Sequence, residues 1–314
     1  MKHSVIQYLI DLNKSTELKH QDGCIILGQE EFDKKEYVKP NLHTLSILDT
    51  KFFCKKAWRF DEDSDIVSLA SQKYCDAVDI TTPPLFYMQA DKQTQEPNES
   101  PGYILSQDIC SLGKLRSCLP YDLYGHTLKK YEKHSGKWEI LNFPELKEFF
   151  LKYMTPECLD ELIGVFLMDE LRTDTDRHTF NYYLVKNPLS RKFEKVITFD
   201  LDNVYIKFKN FTNKQEFDFW TENIPYCTYT PVESLDSRTY KKRMRDIIEL
   251  VHAGIFSDKN ISRLKKAVQF DFPGTINSIC QDIPCLEPYK DVPYETYSHL
   301  WDYTRDQLVR ELGL

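Results

Sequence analysis

Apolar positions recur along this chain with two different periods, and the change between them divides it. Up to about residue 110 they come in short runs: Cys24 to Leu27, Lys51 to Trp58 (KFFCKKAW), Pro84 to Met88 and Tyr103 to Ser106. Runs of that length bounded by turn-forming residues predict strands. The polar, proline-bearing stretch Asp91 to Pro101 predicts a loop between neighbouring strands rather than a domain boundary. One helix interrupts the strands. Asp61, Glu62, Asp63, Ser64 and Asp65 supply capping groups and first-turn negative charge, and Ile66, Leu69, Ala70 and Tyr74 near one face carry the helix to about Cys75.

Beyond residue 110 the helical period dominates. Phe143 to Tyr153 is one candidate. The clearest is Pro156 to Leu171, with Thr155 as N-cap and proline at the first helical position, where its missing N–H costs nothing. Its apolar residues Leu159, Leu162, Ile163, Phe166, Leu167 and Leu171 predict one buried stripe. A polar loop, Arg172 to Thr179, follows. Tyr182 to Val185 and Phe193 to Phe199 then read as two strands around Asn187-Pro188-Leu189-Ser190. After Ile206 the text is loop-rich, then helical at Arg243 to Gly254, Asn260 to Val268 and Tyr294 to Leu312.

Composition narrows the function classes. The formal net charge of -8 argues against a general nucleic-acid binder, which carries a basic footprint to neutralise phosphates. The nine cysteines are irregularly spaced without a C-x-x-C pair, so reduced thiols in a cytosol-like compartment are expected rather than a zinc or redox site. The N-terminal apolar run is too short and interrupted for a signal peptide, and no stretch nears the roughly 18 apolar residues of a membrane span. Export without a signal peptide is equally compatible.

The chemistry concentrates in Asp174-Thr175-Asp176-Arg177-His178-Thr179-Phe180-Asn181, followed after the hairpin by Phe199-Asp200-Leu201-Asp202. Phosphoryl transfer from ATP spreads negative charge over phosphoryl oxygens, so metal ions must bridge the phosphates. Magnesium takes hard oxygen ligands, which carboxylates and amide carbonyls supply. A further carboxylate must position or deprotonate the attacking hydroxyl. The D-x-x-x-x-N spacing of Asp176 and Asn181 fits, with Asp176 facing the acceptor and Asn181 reaching a metal. The hairpin then returns the chain, so Asp200 arrives beside Asn181.

D-R-H-x-x-N followed by a strand ending in F-D resembles the catalytic and metal loops of atypical kinases. The resemblance is closest to the HipA-like bacterial kinases and the phosphatidylinositol 3-/4-kinase group. The hydrophobic helix ending in Phe166-Leu167-Met168-Asp169-Glu170-Leu171, directly before the loop, also matches. The resemblance implies Asp176 as catalytic aspartate, with His178 orienting the loop. It implies Asn181 and Asp200 as metal ligands, with Asp202 as an extra one. Asp200 stands where other kinases have the aspartate of D-F-G, although Leu201 replaces the phenylalanine and no glycine follows. A lysine on the ATP phosphates is implied among Lys55, Lys56 and Lys39, held by Glu62 or Asp63. Backbone groups from Gln107 to Ile109 would meet the adenine. No G-x-G-x-x-G loop is present.

The expected fold is therefore α+β and two-lobed, protein-kinase-like, with a small strand-rich N-lobe (residues 1–110) and a larger, mostly helical C-lobe (111–314). The N-lobe would carry the ATP lysine and the helix, the C-lobe the catalytic loop and metal-binding hairpin. The expected function is an ATP- and magnesium-dependent phosphotransferase, with manganese as an alternative ion. A Ser/Thr protein kinase of HipA-like type is expected, acting on a protein substrate as a bacterial effector or toxin kinase. It would be cytoplasmic, or secreted without a classical signal peptide into a host cytosol. The rivals are a lipid or inositol kinase, an AMP-transferring enzyme on the same fold, and a pseudokinase scaffold. The basic cluster Lys241-Lys242-Arg243-Arg245 offers an anionic activator a site, against the plainer reading of a solvated helix start.

Overall fold

The computed structural model describes residues 19–21, 24–27, 36–39, 42–47, 50–55, 64–90, 102–108, 117–118, 144–172, 174, 181–187, 189–201, 214–223, 240–283, 286 and 294–314. They fall into two compact units. The first comprises Met1–Lys73, Pro83–Lys114 and Pro273–Val292, and the second Tyr74–Thr82, Leu115–Phe272 and Pro293–Leu314.

The first unit is built on β1 (Lys19–Gln21), β2 (Cys24–Leu27), β3 (Glu36–Lys39), β4 (Leu42–Ile47), β5 (Thr50–Lys55), β6 (Leu85–Ala90) and β7 (Gly102–Gln107). They form one sheet in the order β1-β2-β6-β7-β5-β4-β3. The β2–β6 pairing is parallel and the other pairings are antiparallel. Strands β6 and β7 pair directly, as expected of neighbours, and residues 91–101 between them lie outside the described residues. Side chains alternate across a strand, so Phe52 and Cys54 of β5 share a face with Leu45, Met88 and Leu105. All five are at most 3 % exposed. Burial of each large apolar side chain stabilises by about 1.5–3 kcal/mol.

Helix α1 (Ser64–Ala77) starts within the acidic stretch expected to cap it. Ile66, Leu69, Ala70 and Tyr74 are buried as the pattern predicts, but so are Asp65, Val67, Ser68 and Ser71. Burial is therefore not confined to the predicted face.

The second unit contains α2 (Pro144–Tyr153), α3 (Pro156–Leu171), the strands β8 (Ser117–Cys118), β9 (Tyr182–Lys186) and β10 (Phe193–Thr198), and then α4 (Lys214–Asn223), α5 (Tyr240–His252) and α6 (Asp258–Gln269). Next comes α7 (Phe272–Asp282), which lies in the first unit from Pro273 onward, and the chain closes with α8 (Tyr294–Leu312). Thr155 caps α3 as expected, its hydroxyl accepting from the Cys158 N–H at 3.2 Å. From Gly164 to Leu171 every α3 residue is buried, so a one-stripe reading understates it. A helix enclosed on all sides belongs to a core. Helix α3 lies along β10, where its Glu161 carboxylate accepts from the Val196 N–H at 3.3 Å.

Gly164 marks the place where α6 meets α3. A methyl group there would stand 2.6 Å from the Asn260 side-chain oxygen and press on the Arg263 guanidinium. Close approach requires glycine at that point.

Helices α4 and α7 were not expected from the sequence. In α7, Phe272-Pro273-Gly274 reads as a turn, yet proline is tolerated in a first helical turn. Ile276, Ile279, Cys280 and Ile283 then continue as a buried stripe. Helix α5 begins at Tyr240, so the basic cluster from Lys241 lies inside the helix rather than before it, with Arg245 exposed.

Candidate active site

The β9–β10 hairpin sets the geometry of the site. Tyr182 pairs with Thr198 in antiparallel register, so Asn181 and Phe199 continue the ladder by one step. The Phe199 N–H donates to the Asn181 carbonyl at 3.0 Å, and the Thr198 hydroxyl reaches the same oxygen at 3.4 Å. Asn181 is buried, at 3 % exposed. The rings of Phe199 and Tyr183 stack at 4.6 Å, tilted by 30°. Asp200 follows next in the chain, partly exposed. The hairpin thus brings Asn181 and Asp200 to one end of the same ladder.

The backbone at Asp200 is in the left-handed region, with φ of 59°. Aspartate is among the few non-glycine residues that tolerate this conformation. Such strain persists where surrounding structure holds it, and it clusters at functional sites. Leu201, which follows Asp200, is buried at 3 % exposed. Thr198 also donates its N–H to the Thr81 carbonyl at 3.0 Å, tying the hairpin to the segment that leaves α1.

On the other side of the expected catalytic loop the chain leaves α3 through a buried charged cluster that the sequence did not reveal. Asp169, Glu170, Arg172 and Asp174 are each at most 2 % exposed. The Arg172 guanidinium donates to Asp169 Oδ1 at 2.7 Å and lies 3.7 Å from Asp174 Oδ2. It also sits over the Tyr74 ring, 5.6 Å from the centroid. Burial alone would disfavour the charged form, but Cys75, Asp169, Asp174 and Tyr74 outweigh it and hold the group above the ordinary arginine range. One signal was available in the sequence. Glu170 falls four residues after Phe166 and three after Leu167, on the predicted buried stripe.

Asp176, His178 and Asp202 lie outside the described residues, as do Lys56, Glu62, Asp63 and Ile109. Of the lysines left open, Lys39 is on β3 at the edge of the sheet, whereas Lys55 ends β5, an interior strand between β4 and β7. Lys55 is half-buried and lies on the face opposite the Phe52–Cys54 core, directly across from Ile104. With Glu62 and Asp63 outside view, the described acid in the first turn of α1 is Asp65, at 2 % exposed. Gln107 is buried at 4 %. Its N–H donates to the Pro84 carbonyl at 3.4 Å, and that of Asp108 to the Lys51 carbonyl at 2.8 Å. Those two backbone donors are engaged within the sheet.

Among the described residues no group of three or more His, Cys, Asp or Glu side chains is arranged to hold a metal ion. Magnesium does not require one, because it keeps waters and substrate phosphates as ligands beside one or two protein oxygens. The amide oxygen of Asn181 and the carboxylate of Asp200 are hard donors of the type it takes. Cys54, Cys75, Cys158 and Cys280 are buried thiols rather than disulfides. The Cys158 thiol is pushed up to about 12, by burial first and then by Glu161 and Glu194, which favours the protonated form. No helix among the described residues is long and apolar enough to cross a membrane.

Known structures supply the fold's identity. The chain superposes on a Helicobacter pylori proinflammatory kinase, CtkA, with a TM-score of 0.58 over 88 % of this chain and 97 % of that one, at 13 % identity. The fold is kinase-like. A second match is HipA of Shewanella oneidensis, from a complex with HipB and operator DNA, at a TM-score of 0.48 and 10 % identity. It covers 98 % of this chain and 71 % of that one, and at that score it carries no argument. Neither structure is a phosphatidylinositol kinase. No family model matches the sequence, and no curated protein matches it. The kinase-like, α+β class expected from the D-R-H-x-x-N segment is the class observed. At 13 % identity this likeness establishes the fold and leaves the chemistry to the residues.

Proposed function

We propose that this protein is an ATP- and magnesium-dependent phosphotransferase, and specifically a Ser/Thr protein kinase of the HipA-like type. The observation that carries the reading is the convergence of Asn181 and Asp200 at one end of the β9–β10 hairpin, in a chain with a kinase-like fold. In this reading Asn181 and Asp200 hold magnesium, with Asp202 as a further ligand and manganese as an alternative ion. Bound magnesium would offset the charge that develops on the phosphoryl oxygens. Asp176 positions the acceptor hydroxyl and takes up its proton, and His178 orients the loop. Lys55 contacts the ATP phosphates in preference to Lys56 or Lys39, supported by its interior strand. Asp65 joins Glu62 and Asp63 as a candidate partner, supported by its burial. Ile109 and the carbonyls near Gln107 serve the adenine, since the neighbouring N–H groups are already bonded.

The division into an N-lobe to about residue 110 and a C-lobe beyond it belongs to the same proposal. So does a protein substrate met in a cytosol, either that of the producing cell or that of a host. CtkA is a proinflammatory kinase, a property of that protein that supports an effector role here only by analogy.

The test is transfer of label from γ-phosphate-labelled ATP with magnesium, to a generic acceptor protein or to the protein itself, beside Asp176→Ala. Transfer by the wild type and its loss in the variant, by about 10³-fold or more, is the expected result. Label carried only from the α-phosphate would replace phosphoryl transfer with AMP transfer. Failure to bind magnesium-ATP at all would replace the enzyme with a pseudokinase scaffold.

A further inference from the structure

The segment 175–180 is bounded by two described residues, Asp174 and Asn181, and both ends are fastened by contacts that have no catalytic task. Asn181 is held through its carbonyl by Phe199 and Thr198. Asp174 is held by its N–H, which donates to the Asp169 carbonyl at 2.9 Å, and by the Arg172 guanidinium. The two fastenings share a support. Residues Tyr74–Thr82, the last turn of α1 and its exit, meet both of them. Tyr74 lies under Arg172 and donates its hydroxyl to the Met168 sulfur at 3.2 Å, while the Thr81 carbonyl takes the Thr198 N–H. Edge-on contacts with Phe270 and Phe272 fix the Tyr74 ring.

Arg172 is an expensive way to fasten a loop unless the charge is needed. It is 1 % exposed, and among the described residues its Nε and Nη1 find no acceptor while its Nη2 donates to Asp169. Packing alone is served better by an apolar residue, which carries no desolvation cost. What an apolar residue cannot do is draw Asp174 inward while it is tied to the end of α3.

We propose that Arg172 is a positioning residue, a buried clamp that sets where the segment carrying Asp176 begins. This rests on the phosphotransferase reading for its consequence in activity, but not for its consequence in structure. Asp174→Asn keeps size and backbone and removes the charge that faces Arg172. Arg172→Lys keeps charge and loses the fork and its stacking on Tyr74.

Both variants are to be compared with wild type by hydrogen exchange of peptides covering residues 169–181, by thermal unfolding, and by phosphoryl-transfer kinetics with Asp176→Ala as the blank. The clamp predicts faster exchange confined to those peptides. It also predicts a fall in kcat of about 10- to 100-fold with KM for ATP within about 2-fold, the pattern of a displaced reacting group rather than lost binding. Folded variants with wild-type exchange and wild-type kcat would overturn it. A lowered Tm with unchanged kcat would also overturn it, because Arg172 would then be ordinary packing. If wild type transfers no more label than Asp176→Ala, the phosphotransferase reading fails, and the exchange data alone decide whether Arg172 holds the segment.

Discussion

Two arginines of the second unit, Arg172 and Arg263, are buried to the same degree, each 1 % exposed, yet their surroundings treat the charge in opposite ways. Arg172 ends α3 against two carboxylates, and the guanidinium is held above its ordinary range. Arg263, on α6, bonds neutral oxygens. Its Nη1 donates to Asn260 Oδ1 at 2.7 Å and its Nη2 to the Asp79 carbonyl at 3.2 Å. Burial pulls it below the ordinary range against the more distant pull of Asp160, Glu161 and Asp79. Equal burial therefore does not mean equal work. In the proposed clamp, Arg172 acts through charge on Asp174, where the segment carrying Asp176 begins. Arg263 acts as a geometric tie joining α6 to the turn after α1, in a space that Gly164 keeps open.

The sharpest way to break this contrast is Asp169→Ala. It removes the main acceptor of a buried cation and is expected to cost about 3–5 kcal/mol in chemical denaturation. A cost under about 1 kcal/mol would mean that the charge was never critical. Gly164→Ala comes next. Its methyl group would intrude on Asn260 and Arg263, for an expected loss of about 1–3 kcal/mol from overpacking. Phosphoryl transfer by the folded fraction should persist, since nothing at Asp174 or Asn181 is touched. The smallest effect belongs to Lys266→Ala. Its ion pair with Asp79 lies beside the Arg263 tie, but the partners are 41 % and 61 % exposed. The expected change is within about 1 kcal/mol and should shrink further in salt. A larger loss would show the Arg263 tie to be electrostatic after all.

The same contrast explains what the sequence could disclose. Helix α3 was legible to its ends because Thr155, Pro156 and the apolar spacing agree, and each acts locally. The β9–β10 hairpin was legible for the same reason, and with it the approach of Asn181 to Asp200. The buried charges were not. Arg172 reads as the first residue of a polar loop until Tyr74, nearly a hundred positions earlier, is seen beneath it. Asp65 was passed over because neighbouring acids offered the same cap. Helix α7 was hidden by Pro273-Gly274, whose local preference is a turn, and tertiary burial of Ile276, Ile279 and Ile283 overrides it. Local spacing already favours Lys55 over Lys39 as the lysine on the ATP phosphates; what no local pattern encodes is that Lys55 ends an interior strand and Lys39 lies on an edge strand.

That strand order also constrains how the chain assembles during synthesis. The β3–β4–β5 meander and the β1–β2 pair emerge first, and in the finished sheet they occupy opposite margins. What joins them is β6 and β7, made last, with β2 pairing to β6 across some sixty residues of sequence. Until β6 has left the ribosome β2 presents an unpaired edge, and until β7 has followed it so does β5. Exposed edges of this kind are where one nascent chain pairs with another.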